Sequence, residues 1–230
     1  NPAPRIDMPV VVDDLQYKGL TLLRDTERFS YGHDAVLLAN FVRAKAGGRM
    51  IDLGTGTGVI AILAHAKTGA SVLAVDIDPD CCALARQSVA MNGLEGAIEV
   101  MQADMRELTV AKAGSFDLAA CNPPYFSGGT ESPNPSRRRS MFQDDCALGD
   151  AVKCASRLLK NGGRFFICYP ARLLAPLCAE LAAARLPPKR IRLVRAGQGK
   201  PPYLVLIEAK KGARDGAIVE EITLEGTYGT

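Results

Sequence analysis

Asp52-Leu53-Gly54-Thr55-Gly56-Thr57-Gly58 is the stretch on which the fold of this chain turns. It follows the short apolar run Met50 to Leu53 and leads into Val59 to Lys67, which has helical composition. Glycines permit a tight turn and let a ligand come close to the backbone. The segment therefore reads as strand, ligand-facing turn, helix.

Working outward, the same alternation continues. Val72 to Val75 reads as a strand and Pro79 to Met91 as a helix, with Pro at its first turn and Asn92-Gly93 at its end. Ile98 to Met101 and Phe116 to Cys121 read as strands. Leu148 to Leu159 reads as a helix closed by Asn161-Gly162-Gly163, then Arg164 to Tyr169 as a strand. Ala171 to Arg185 is the last helix, ended by Pro187-Pro188, and Ile191 to Val194 and Tyr203 to Ala209 are the last strands. The strands are continuous apolar runs, as expected of a mostly parallel sheet covered on both faces. The fold class is α/β, Rossmann-like, with seven strands, helices on both faces and an antiparallel last strand. Upstream, Asp13 to Arg24 reads as a short irregular or hairpin piece, and Ala35 to Val42 as a helix with Asp34 placed to cap it.

Ligands of such sheets bind at the carboxyl ends of the strands. Four polar positions follow four successive strands: Asp52 with its glycines, Asp76, Asp104 and Asn122. The glycine turn can be forced into a dinucleotide fingerprint through Gly56, Gly58 and Ala61, with Asp76 as its acidic partner. An S-adenosylmethionine loop fits better. With Gly54 as the glycine immediately after the strand, the third fingerprint glycine falls on Val59. Asp52 would also repel a pyrophosphate but suits a cationic methionine moiety. Asp76 can then accept from ribose hydroxyls and Asp104 from an adenine amine, while the Met105 backbone N–H meets the ring nitrogen.

Asn122-Pro123-Pro124-Tyr125 carries the chemistry. The Asn side-chain oxygen can accept one hydrogen of an exocyclic amine, and the Pro123 carbonyl another. Tyr125 can lie on the ring face, where stacking is worth about 1–3 kcal/mol per base. An aromatic amine is a poor nucleophile because its lone pair is spread into the ring. Two acceptors on its hydrogens help localise that pair.

Composition narrows the class. The chain has 230 residues, 47% hydrophobic and 23% charged, enough for one self-sufficient domain. Seven cysteines without a Cys-x-x-Cys pair and two distant histidines exclude a zinc site or disulfide framework and imply reduced thiols in a cytoplasmic protein. No apolar run is long enough to span a membrane. Net charge is only +3, but basic residues cluster at Arg137-Arg138-Arg139, at Lys189, Arg190, Arg192, Arg195 and Lys200, and at Lys210-Lys211. The first cluster lies just after the Asn-Pro-Pro-Tyr motif, which points to an RNA backbone.

Over residues 29–209 the arrangement resembles the class I S-adenosylmethionine-dependent methyltransferases, with residues 1–28 an N-terminal extension and 210–230 a tail. Asn-Pro-Pro-Tyr looks like their amino-methylating branch. Three further stretches narrow the resemblance: Phe29-Ser30-x-x-x-Asp34-Ala35-Val36-Leu37-Leu38-Ala39, Phe126-Ser127-Gly128-Gly129, and Pro188-Lys189-Arg190-Ile191-x-x-Val194. Together they resemble the bacterial tRNA (adenine-N6)-methyltransferases acting on the adenosine 3′ of the anticodon in a valine tRNA.

The resemblance implies that Asn122, Pro123 and Tyr125 are catalytic. It implies that Asp52, Gly54, Gly56, Asp76, Ile77, Asp104, Met105 and Asn122 hold the cofactor. Tyr125, Phe126, Arg137, Arg138, Arg139, Lys189 and Arg190 would contact tRNA. It implies no metal, no membrane and no obligate protein partner. A release-factor glutamine methyltransferase shares Asn-Pro-Pro-Tyr but normally carries a helical N-terminal domain, and a cofactor-binding partner without turnover would lack use for Asn122.

Overall fold

The computed structural model describes residues 10–26, 32–44, 47–108, 112–124 and 144–224. The first described element is a hairpin, β1 (Val10–Asp14) antiparallel to β2 (Thr21–Asp25), followed by helix α1 (His33–Phe41). Then come β3 (Arg49–Leu53), α2 (Val59–Thr68), β4 (Ser71–Asp76), α3 (Pro79–Met91), β5 (Ile98–Gln102) and β6 (Phe116–Cys121). The remainder is α4 (Asp144–Leu158), β7 (Leu159–Pro170), α5 (Leu174–Ala183), β8 (Pro188–Arg195), β9 (Pro202–Lys210) and β10 (Ile218–Thr223).

Eight strands form one sheet in the order β10-β8-β9-β7-β6-β3-β4-β5. Only β9 runs against its neighbours β7 and β8. The order reverses direction between β3 and β6, which opens a crevice at their carboxyl ends. The seven strands expected from the sequence are all present, and the one read as last, β9, is the antiparallel one.

The apolar runs are continuous because alternate residues feed two cores. Met50, Leu118, Phe166 and Leu204 pack toward α1 and α2, whereas Ile51, Ala119, Ile167 and Val205 pack toward α4 and α5. Phe41 of α1 meets Phe166 edge-to-face at 6.3 Å between centroids.

Three local expectations change. First, residues 218–223, expected within a tail, add an eighth strand parallel to β8. Its charged Glu220-Glu221 centre obscured it: Glu220 pairs with Arg192 at 2.7 Å and Glu221 with Arg195, so ion pairs hold this edge. Second, Asp34 does not cap α1. Gly32 occupies the cap, with no side-chain bond, and Asp34 lies inside the first turn. Third, Asn161-Gly162-Gly163 belongs to β7, where a register shift against β6 bulges the strand. A Cβ on Gly163 would sit 2.9 Å from the Lys160 carbonyl oxygen, so only glycine fits there.

The hairpin is fixed to α3. Asn92 at the end of α3 donates to the Thr21 carbonyl at 2.7 Å and accepts from the Thr21 amide at 2.9 Å, and Ser88 Oγ accepts from Leu23 N–H at 2.9 Å.

Candidate active site

Strand register brings the polar positions together. Leu53 is opposite Val75 on one side and Cys121 on the other, and Asp76 is opposite Gln102. Gly54, Asp76, Asp104 and Asn122 therefore lie at the same edge, at the ends of four adjacent parallel strands.

The glycine turn is tied to β4. Gly54 and Thr55 N–H both donate to the Val75 carbonyl at 2.9 Å, and Gly56 N–H donates to Asp76 Oδ2 at 2.8 Å. The other Asp76 oxygen accepts from Asp78 N–H at 2.9 Å. Burial raises the Asp76 carboxyl above its usual range. Gly54 and Gly56 have φ of +70° and +56°, and nothing lies within 4 Å of where a Cβ would project from either. The turn thus offers a half-buried cradle of backbone with no side chain over its two glycines. Ile77, 62% exposed, stands beside it as an apolar surface for a ring.

Asp52 lies beneath the turn, fully buried. Its Oδ2 accepts from the Thr55 hydroxyl at 2.6 Å, and the Ala61 backbone N–H also lies near enough to favour the charged carboxylate. Burial pushes its carboxyl up to about 7, and the nearby Asp76 charge adds to this against the opposing Thr55 bond. A buried acid beneath an open glycine turn fits a cationic ligand group. These features suit the methionine end of S-adenosylmethionine.

Asp104 caps the short 3₁₀ turn Met105–Glu107, accepting from Arg106 N–H at 2.9 Å. The Arg106 guanidinium also clamps it, with Nη2 2.5 Å from Oδ2, and this pairing holds the carboxyl below its usual range.

Asn122 ends β6, half-buried, with Pro123 buried and Pro124 exposed behind it. Its Oδ1 accepts from the Cys168 thiol of β7 at 3.0 Å. The acceptor expected for an amine thus sits one strand from the glycine turn.

A methyltransferase-domain family model matches residues 44–207. Among curated relatives, the tRNA1(Val) (adenine(37)-N6)-methyltransferase of Parabacteroides distasonis is 30% identical over 193 residues, covering 84% of this chain and 81% of its own. That of Bacteroides fragilis strain YCH46 is also 30% identical, with 84% and 81% covered. This chain belongs to the tRNA1(Val) (adenine(37)-N6)-methyltransferase family. Among solved structures, an Agrobacterium tumefaciens protein described as a "predicted O-methyltransferase" superposes with TM-score 0.68 at 22% identity, covering 85% of this chain and 89% of its own. At that identity it speaks for the fold.

Within this methyltransferase, Arg190 is held inside the fold, and Lys189 is engaged by carbonyls of its own chain. Arg190 is opposite Glu208, which is opposite Phe166, so it lies within the sheet and not at its ligand edge. It is buried, pairs with Glu208 at 3.0 Å, donates to the Phe41 carbonyl at 2.9 Å and stacks 3.8 Å above the Phe41 ring. Lys189 Nζ donates to the carbonyls of Arg214 and Gly216 at 3.2 and 2.6 Å. Sequence proximity of basic residues could not distinguish an exposed cluster from a strand whose arginines serve ion pairs. Tyr125, Phe126 and Arg137 to Arg139 lie outside the described residues. Among those described, no acidic, His or Cys cluster suits a metal, and no helix is long and apolar enough to cross a membrane.

Sequence reasoning missed the surroundings of Asn122. Cys168 touches Asn122 directly. Asp34, on α1, and Tyr203, at the start of β9, lie near Cys168: burial, with the Asp34 charge, pushes the Tyr203 hydroxyl up to about 12. Asp34 stood out as a helix cap and within the Phe29–Ala39 stretch, and nothing in the pattern around Cys168 or Tyr203 marked either.

Proposed function

We propose that this chain transfers a methyl group from S-adenosylmethionine to the exocyclic N6 amine of an adenine in tRNA, the anticodon-loop adenine of a valine tRNA being the target. The observation that carries this reading is the placement of Asn122 at the end of β6, one strand from the Gly54–Gly58 turn at the end of β3. Amine acceptor and cofactor cradle are neighbours.

S-adenosylmethionine, when bound, supplies an electrophilic methyl on a sulfonium whose departure leaves a neutral thioether. Asp52 would face its methionine end, Gly54 and Gly56 would admit it to the backbone, Asp76 would accept from the ribose hydroxyls, and Ile77, Asp104 and the Met105 N–H would hold the adenine. Asn122 Oδ1 and the Pro123 carbonyl would accept the two hydrogens of the target amine, orienting its lone pair along the line of attack. Tyr125 would stack on the base. An anticodon-loop base is already partly unpaired, so its presentation costs less than flipping one from a duplex.

The test is transfer from labelled S-adenosylmethionine to a valine tRNA transcript, followed by digestion to nucleosides and mass spectrometry. N6-methyladenosine is expected at one site in the anticodon loop. Transfer to a release factor and none to RNA would overturn the substrate.

A further inference from the structure

The side-chain amide of Asn122 must present its oxygen, not its NH₂ group, to the target amine. The two ends of an amide have nearly the same shape, so packing alone does not choose between them; a hydrogen bond does. Among the described residues, the amide makes one such bond, from the Cys168 thiol to Oδ1 at 3.0 Å. Strand pairing enforces this meeting. Cys121 is opposite Ile167, so the next residues, Asn122 and Cys168, come level on the face covered by α1 and α2.

We propose that Cys168 is a positioning residue for methyl transfer, its thiol holding Asn122 Oδ1 toward the site while the oxygen's second lone pair receives the substrate amine. The inference rests on the reading of Asn122 as the amine acceptor. A carbonyl oxygen has two lone pairs, so both bonds can coexist. Cys168 is fully buried. That burial, with the charge of Asp34 nearby, raises its thiol well above the ordinary range, so the proton it donates is retained. Burial also withdraws it from solvent and from any role as a nucleophile. With a methyl group in its place, the amide could rotate and point NH₂ hydrogens at the amine, where it would repel instead of accept.

The test compares the full chain with Cys168→Ala and Cys168→Ser, reading kcat and KM for tRNA, Kd for S-adenosylmethionine, and the side-chain amide resonances of Asn122 by ¹⁵N NMR. Alanine should lower kcat roughly five- to tenfold, the rate equivalent of one neutral hydrogen bond, while cofactor Kd stays within about twofold. The Asn122 amide pair should shift in the alanine variant and return in the serine variant, whose hydroxyl donates in the same place, and serine should restore most of kcat. Wild-type kcat in the alanine variant would overturn the proposal. So would equal losses in both variants that follow melting temperature while the Asn122 resonances stay put. If the unmodified chain transferred nothing to tRNA, the substrate reading would fall on its own; the NMR comparison would still decide for Cys168, with displaced and serine-restored resonances supporting it and unmoved ones overturning it.

Discussion

Gly56 and Asp76, twenty residues apart, are joined across the sheet edge: the Gly56 N–H donates to Asp76 Oδ2 at 2.8 Å. The carboxylate that is to receive the ribose also fixes the turn that is to receive the methionine end. Asp76→Ala therefore does two things at once. It strands the half-buried Gly56 and Asp78 amides, each at about 1 kcal/mol, the low end for a donor left without a partner. It should also weaken S-adenosylmethionine binding by about tenfold or more, equivalent to at least ~1.4 kcal/mol. Calorimetric titration and thermal melting measure both, and an unchanged Kd would remove Asp76 from the cofactor site.

Asp52 makes binding and stability depend on pH in opposite senses. Its carboxyl is raised to about 7 in the folded chain, mainly by burial. The folded state therefore holds this proton more tightly than the unfolded state. Stability from this group is fully present below the ordinary carboxylate range and is lost as pH rises toward 7. A cationic ligand group favours the ionised form, so cofactor affinity should rise with pH up to about 7 and then level off. Asp52→Asn should flatten the affinity profile and gain stability relative to the parent chain between pH 4 and 7. A parent profile that is already flat over that window would exclude Asp52 as the partner of a cation.

The sheet was legible because its signals are short-range. Apolar runs, glycine turns and a proline-led helix each act within a few residues, and their alternation implies parallel pairing. The cofactor edge was legible for the same reason, since each of its groups immediately follows a strand. Two things depended on distant partners and stayed hidden. β10 is a strand because Arg192 and Arg195 of β8 form ion pairs with its glutamates. Arg190 looked like a phosphate ligand until Glu208, eighteen residues on, was seen to pair with it. Cys168 is the same case at the site: forty-six residues separate it from Asn122, and only the pairing of β6 with β7 makes them neighbours.

Asn122→Ala should abolish transfer and leave cofactor affinity within a few-fold. The side chain is half-buried and bonded to Cys168, so its loss leaves the glycine turn and Asp76 untouched. Losing one positioned acceptor in the transition state is worth about 10²–10³ in kcat. Single-turnover transfer with saturating S-adenosylmethionine separates chemistry from binding. Retention of most of the rate would sink the amine-activation argument.

The basic residues should divide into two kinds. Replacing Arg137, Arg138 and Arg139 together by alanine should weaken tRNA binding and reduce the slope of log K against log salt by about 2, at ~0.7 for each single-strand phosphate that is no longer neutralised. Arg190→Ala should do neither. It removes one partner of half-buried Glu208, which Arg164 still approaches at 3.6 Å, and the cation over Phe41, and should cost about 3 kcal/mol of stability, the low end for breaking a buried pair. Filter binding across a salt series, set beside urea unfolding of the same variants, distinguishes the two. A changed salt slope in a folded Arg190 variant would place that guanidinium on the RNA after all, and an unchanged slope in the triple variant would move the RNA grip away from residues 137–139.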